Sequence, residues 1–496
     1  MGTQHTDTDR DTAVRAPAVA GQFYPGDAEK LSAALEAFFR DAEPAGSERP
    51  LAVVVPHAGY IFSGQITADA YNQARPFTYR TIVILGTNHT KAGFRNVGIY
   101  PGAGMRTPLG TLAVDQALAE QLIASCEDCI YRAAVHEKEH SVEVQLPFIQ
   151  YAFPGIDILP VVVGTAEEAM CLRFGESLGR LLQDRDALIV ASSDLSHYPA
   201  YEAAGPVDRD TLRSLESLNP RVFHQAVNAP PEPPVSNLYT RACGEGPILA
   251  AMAAARELGA TAAIPVSYAN SGDVLIGDRD RVVGYGAVVF AAAQRKAADE
   301  TEALAEPAPA PAPGPLSPDH RRSLLAFARK TIHQFLTSDT VPVPRGFDPV
   351  LWGNQGAFVT LRIQDQLRGC VGHVDEDLPL CRVVGNMALQ AAFGDHRFSP
   401  VSLEEFPRLE IEISALTPFT EIRKVGDIRV GTDGVMLKKG ERKAVFLPEV
   451  PVTMGWDREM LLDELCLKAG LAPGSWRKGA SLYCFQSTKF QESDFQ

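Results

Sequence analysis

Three short apolar runs, Leu51–Val55, Thr81–Leu85 and Ala187–Ala191, each end in a polar loop that carries a histidine. The loops read Pro56-His57-Ala58-Gly59-Tyr60, Gly86-Thr87-Asn88-His89-Thr90 and Ser193-Asp194-Leu195-Ser196-His197. A run with no polar alternation has no face to offer water, so it belongs in a parallel sheet covered by helices on both sides. The carboxyl ends of such strands share one edge, and ligands bind in the crevice there. The pattern therefore constrains both fold and function: three sequence-distant histidines are expected to converge at one sheet edge, as a metal or acid–base site.

The surrounding sequence supports this frame. Helix-like segments at 31–40, 115–125, 139–152 and 166–183 alternate with strand-like segments at 96–100, 156–163, 262–268 and 281–290. That alternation predicts a three-layer α/β domain over 17–293. Residues 1–16 are polar and read as a disordered tail. Met1-Gly2 with Thr6 formally fits a myristoylation pattern, but no polybasic partner accompanies it. The string Glu306-Pro307-Ala308-Pro309-Ala310-Pro311-Ala312-Pro313 lies in a Pro/Ala-rich spacer over 294–317. Beyond it, 318–496 mixes a long helix at 321–336, further helices at 379–392 and 458–469, and strands at 357–363, 408–416, 443–447 and 482–485. This predicts an α+β domain.

Bulk properties exclude several classes. A net charge of -15 argues against nucleic-acid binding, which needs a basic footprint. The sequence has no apolar run of bilayer length and no secretory h-region at its start, so no membrane association is expected. Eight cysteines in 496 residues are too sparse for a disulfide scaffold and fit a reducing cytoplasm. Cys126 and Cys129 form a lone C-x-x-C, best read as lying at a helix end.

His57 and His89 follow strands and sit among turn residues, which suits metal ligation by neutral imidazole. Cys243 precedes Gly244-Glu245-Gly246-Pro247 and an Ala- and Leu-rich helix. A thiol at a helix N-terminus is expected to ionise readily, as a soft ligand or a nucleophile. Two imidazoles and a thiolate favour iron, copper or zinc over magnesium or calcium. Asp194 and His197 share one loop and suit acid–base work or the support of a ligand. His140 and Glu143 are three apart on a predicted helix, which suits substrate orientation or a buried polar network.

These residues resemble a known family. Pro56-His57-Ala58-Gly59-Tyr60, Gly86-Thr87-Asn88-His89, Thr107-Pro108-Leu109-Gly110, His140-Ser141-x-Glu143, Ser193-Asp194-x-Ser196-His197 and Cys243-Gly244 stand in the order seen in Memo-family proteins. Memo proteins resemble LigB-type extradiol dioxygenases, whose iron is held by two histidines and a glutamate. The resemblance implies a metal site at His57, His89 and Cys243, with the thiol replacing the carboxylate. It also implies His197 as acid–base histidine, with Asp194 beside it and His140 nearby as a further catalytic candidate. The thiol changes metal preference, so ring cleavage is not carried over.

In the second half, Leu367-Arg368-Gly369-Cys370-Val371-Gly372-His373 and Ala392-Phe393-x-Asp395-x-Arg397-Phe398 resemble the AMMECR-type domain. The two glycines around Cys370 suggest close backbone approach. Arg368, Gly369, Cys370, Asp395 and Arg397 are candidates for a ligand groove. The two resemblances together imply a fusion of two components of the AmmeMemoRadiSam system, with a radical S-adenosylmethionine protein as partner.

Three functions follow as expectations. The first is a redox-active oxidoreductase with one iron or copper ion, zinc being the other candidate, acting on a small molecule or peptide. The second is a non-catalytic peptide- or protein-binding module that uses the dioxygenase-like crevice. The third is a zinc-dependent hydrolase.

Overall fold

A computed structural model of the chain describes residues 13–46, 48–292 and 311–495. The tail expected over 1–16 lies outside the described residues as far as 12, as does the 294–310 part of the expected linker. Within the last residues assigned to the tail, Val14–Arg15 forms a strand beside Gly104–Thr107, and Arg15 is buried. The chain falls into two compact units.

The principal elements of the first unit are α1 (Ala28–Arg40), β1 (Pro50–Val55), α2 (Tyr60–Ala74), β2 (Thr81–Thr87), β3 (Val97–Ile99), β4 (Cys129–Tyr131), β5 (Asp157–Val163), α3 (Glu168–Leu182), β6 (Ala187–Ser192), α4 (Glu245–Glu257), β7 (Ala262–Asn270) and β8 (Gly284–Ala291). The eight strands make one sheet in the order β7-β8-β1-β6-β2-β5-β3-β4. Its centre, β1-β6-β2-β5, is parallel, with Val53 opposite Val190 and Ile82 opposite both Leu188 and Ile158. β8 and β3 flank this centre antiparallel.

Alternate residues of the central strands enter two separate cores. Val53, Val55, Ile82, Ile84, Leu188 and Val190 pack with Leu35 and Phe38 of α1 and Ile66 and Tyr71 of α2. Ala52, Val54, Val83, Leu85, Ile189 and Ala191 pack with Phe174 and Leu178 of α3 and Leu249 and Met252 of α4. Both faces of the sheet are therefore covered, which is why these strands lack polar alternation. Each fully buried aliphatic side chain contributes roughly 2 kcal/mol.

The helix expected over 139–152 is broken. His140–Glu143 forms one turn and Leu146–Ala152 a second short helix. Pro147 has no N–H to carry a single helix through this point. Glu143 points away from the histidines. Its carboxylate takes the Arg15 guanidinium at 2.7 Å, the N–H groups of Ala18 and Val19, and the Tyr24 hydroxyl at 2.8 Å.

The second unit contains the helix Pro318–Ser338 up to Leu336 and two four-stranded antiparallel sheets with separate cores. The first sheet comprises Ala357–Ile363, Gln366–His373, Glu410–Leu416 and Ser487–Gln491. The glycine-flanked Cys370 motif, read from sequence only as a close-approach segment, is the second of these strands. A Cβ on Gly369 would lie 2.0 Å from the Ala391 carbonyl oxygen, and one on Gly372 would lie 2.1 Å from the Phe358 ring. The helix expected over 379–392 runs as Leu380–Leu389 and continues as a wider turn, Gln390–Gly394.

Replacing Glu143 with Ala strands the buried Arg15 guanidinium. The expected cost is about 3–5 kcal/mol of stability, measured by chemical denaturation. A cost below about 1 kcal/mol, typical of an exposed pair, would refute this account of the network.

Candidate metal centre

Because β1, β6 and β2 are adjacent and parallel, their carboxyl ends lie side by side. β1 delivers His57, β2 delivers His89, and β6 delivers Asp194 and His197. Cys243 arrives from the N-terminal side of α4. Its N–H donates to the Asp194 carbonyl at 3.3 Å, and the Gly244 N–H donates to Ser193 Oγ at 2.9 Å. A Cβ on Gly244 would sit 2.5 Å from the Ser192 carbonyl oxygen, so glycine permits this approach.

The donor atoms of His57, His89 and Cys243 all lie within 4.8 Å of one another. Cys243 Sγ is 3.1 Å from His57 Nε2. Hydrogen bonding fixes which ring nitrogen faces the centre. Ser192 Oγ donates its one proton to the Ser141 carbonyl at 2.6 Å. It must therefore accept from His57 Nδ1 at 3.0 Å, which leaves the lone pair on Nε2. His89 Nδ1 lies 2.9 Å from Glu139 Oε1. An ionised carboxylate only accepts, so Nδ1 of His89 carries a proton and Nε2 is the unprotonated nitrogen in the neutral ring.

Electrostatics support a neutral His57 and an ionised Glu139. Burial, then the neighbouring His140 and His89, holds His57 well below its ordinary value, so its ring is neutral. Burial alone would raise the Glu139 carboxyl. Its bonds to His89 and to the N–H groups of Ser141 and His89 outweigh that and hold it at about 2. Cys243 is the correction to the sequence reading. Burial, then the Asp194 charge, pushes its thiol far up and overrides the helix terminus.

Asp194 is raised by burial, and Oδ1 accepts the N–H groups of His57 at 2.7 Å and Ala58 at 3.2 Å. It thus fixes the loop that carries His57. Asp194, His197 and Cys243 form a second group of donor atoms within 4.8 Å. His197 Nδ1 donates to the Leu195 carbonyl at 3.0 Å, which leaves Nε2 unprotonated in the neutral ring. His140 stacks on His89 at 4.6 Å and stands edge-on to His57 at 5.4 Å.

The structure thus brings His57, His89, Cys243, Asp194, His197 and His140 to one crevice. Sequence reasoning missed Glu139, Ser192 and Gln145, the last donating to the Pro56 carbonyl and to Ser192 Oγ. In His136-Glu137-Lys138-Glu139-His140 two glutamates compete, and only the fold selects Glu139. Cys126 and Cys129 are buried in the core, with Cys126 ending the helix Gln116–Ser125.

In the second unit, the groove candidates meet but engage one another. Arg368 forms a two-pronged pair with Glu405 at 2.9 and 3.0 Å. Asp395 accepts the Cys370 N–H at 2.9 Å and binds Arg397, whose Nη2 also reaches the Cys370 carbonyl. These bonds tie Gln366–His373 to the segment after Gly394.

Residues 15–289 match the Memo-like protein family. The chain belongs to the Memo family. Residues 325–490 match AMMECR1, so an AMMECR1 domain follows the Memo domain. The Memo domain is similar to a MEMO1 family protein of Aquifex aeolicus, 38% identical over 56% of this chain and 99% of that protein. A MEMO1 family protein of Methanosarcina mazei is also 38% identical, over 56% of this chain and 98% of its own length. An uncharacterized protein from Pyrococcus horikoshii of known crystal structure is 37% identical over 34% of this chain and 90% of its own, with a TM-score of 0.33. No helix among the described residues is long and apolar enough to cross a membrane.

Behind His197 in the Memo domain, Asp208 accepts the Ser196 N–H at 2.8 Å, the Ser196 hydroxyl at 2.9 Å and the Tyr268 hydroxyl at 2.9 Å. Burial nevertheless raises its carboxyl to about 7. The unfolded chain releases this proton near 3.8, and the folded chain holds it to about 7. Stability is therefore lost as pH rises between those values, by no more than about 4 kcal/mol. Asp208→Asn is expected to flatten that slope in denaturation curves taken from about pH 4 to about pH 8. A stability difference between variant and wild type that stays constant with pH would refute this.

Proposed function

We propose that the Memo domain is a mononuclear metal-dependent oxidoreductase, with His57, His89 and Cys243 holding iron or copper. The observation that carries this reading is one ligand atom from each of His57, His89 and Cys243 within 4.8 Å of one another. With Cys243 Sγ 3.1 Å from His57 Nε2 and all three donor atoms within 4.8 Å of one another, the set is close enough to share one ion. The neutral His57 suits ligation, and a bound cation would offset the cost of ionising the buried thiol. The donor set thus fits a soft-to-borderline metal.

When bound, such an ion supplies Lewis acidity and electron transfer. The chain's own residues do the rest. Ser192 and Glu139 hold the two imidazoles in orientation, as outer partners of metal-ligating histidines do. His197, with an unprotonated Nε2 in the neutral ring, suits accepting or returning a proton. Asp194 keeps a carboxyl beside it, and His140 lines the same crevice to orient substrate. This layout is the one expected for a three-layer domain related to the LigB-type extradiol dioxygenases. The AMMECR1 domain is assigned a binding role, through Arg368, Gly369, Cys370, Asp395 and Arg397, and a radical S-adenosylmethionine protein is the proposed partner.

Protein purified without oxygen is expected to carry close to one iron or copper per chain. His57→Ala and Cys243→Ser are expected to lose it while keeping wild-type thermal stability within a few degrees. Full metal occupancy in His57→Ala would overturn the assignment. Stoichiometric zinc would replace redox chemistry with hydrolysis, and no metal after reconstitution would leave a binding crevice.

A further inference from the structure

A cavity of about 580 Å³ opens beside His89, at the carboxyl ends of β2 and β5. Its walls include Asn88, Lys91, Phe94, Arg95 and Thr165. The side chain of His89 is 32% exposed, whereas that of His57 is 2% exposed. His89 is thus the ligand candidate that meets this cavity and solvent.

The wall is built rather than incidental. Asn88 Oδ1 accepts the Lys91 N–H at 2.9 Å, and Asn88 Nδ2 donates to the Lys91 carbonyl at 2.8 Å, which closes the loop on itself. The Phe94 ring lies so near Gly98 and Gly164 that a Cβ on either would come within 3.1 and 2.6 Å of it. That wedge fixes the chain at Arg95. Arg95 is exposed and makes no hydrogen bond or ion pair among the described residues. Lys91 has only an exposed partner, Glu137 at 3.4 Å, and such a pair contributes little. Glu139, the other acid near the loop, is engaged by His89. Two cations thus face one cavity in a chain with a net charge of -15.

We propose that the molecule used by this centre carries a carboxylate or phosphate that seats on Lys91 and Arg95, with its remainder reaching the His89 edge. The reacting end rests on the metal-centre reading above; the anion seat does not. Arginine recognises either oxyanion through paired N–H donors, and lysine adds a point charge.

The test uses the full chain stripped of metal by chelator dialysis, titrated separately with inorganic phosphate and with succinate. One of the two is expected to bind saturably, and which one it is separates phosphate from carboxylate. Affinity is expected to fall about tenfold in Arg95→Ala, further in Arg95→Glu, and with added salt. Failure of both anions to bind at about 20 mM would overturn the proposal, as would wild-type affinity in both variants. Metal content of the Arg95 variants is expected to match wild type. Loss of metal binding alone would sink the metal reading and leave the anion seat standing.

Discussion

The parallel pairing of β1, β6 and β2 is the constraint on which the site depends. Val53 opposite Val190 and Leu188 opposite Ile82 set the register, and that register places three strand ends at one edge. A one-residue slip would exchange the two cores and rotate each end. The two apolar clusters therefore guard the site geometry. Gly244 extends the same constraint to Cys243, since its missing side chain lets α4 approach the end of β6.

Burial then decides protonation. The crevice floor excludes water, so charged forms are disfavoured unless a partner meets them. For His57 and Cys243 burial outweighs the partners they have, Asp194 at 3.9 Å from the imidazole and the imidazole at 3.1 Å from the thiol, and both rest neutral. Glu139 has three donors and stays charged. Two neutral groups beside one well-supported carboxylate leave that buried charge for a cation to offset. A helix N-terminus is a partial charge screened within a turn; full desolvation of a thiolate is the larger effect.

Much of the Memo-domain fold was legible because its strands are apolar throughout, and buried parallel strands leave that signature. The ligand candidates were legible for the same reason, since each histidine immediately follows a strand. What escaped were contacts between distant elements. Nothing local distinguishes Glu139 from Glu137, or marks Glu143 as the partner of Arg15 more than 100 residues earlier. The break before Pro147 was signalled by the proline, yet the apolar spacing on either side suggested one helix. In the AMMECR1 domain, Gln366–His373 was hidden as a strand because glycines at 369 and 372 depress strand propensity. Only the approach of Ala391 and Phe358 explains them.

The two imidazoles are not equivalent, and the difference has a chemical consequence. His57 donates to a neutral hydroxyl and is buried. His89 donates to an ionised carboxylate and is one-third exposed. A hydrogen bond to a carboxylate is stronger than one to a hydroxyl. His89 is thus held by the charge-assisted bond and is the more accessible, while His57 is the more enclosed. A candidate pair divided in this way has one enclosed member and one open to solvent. Lys91 and Arg95 line the cavity that His89 meets, so the proposed anion seat lies on the side where the more accessible imidazole reaches solvent.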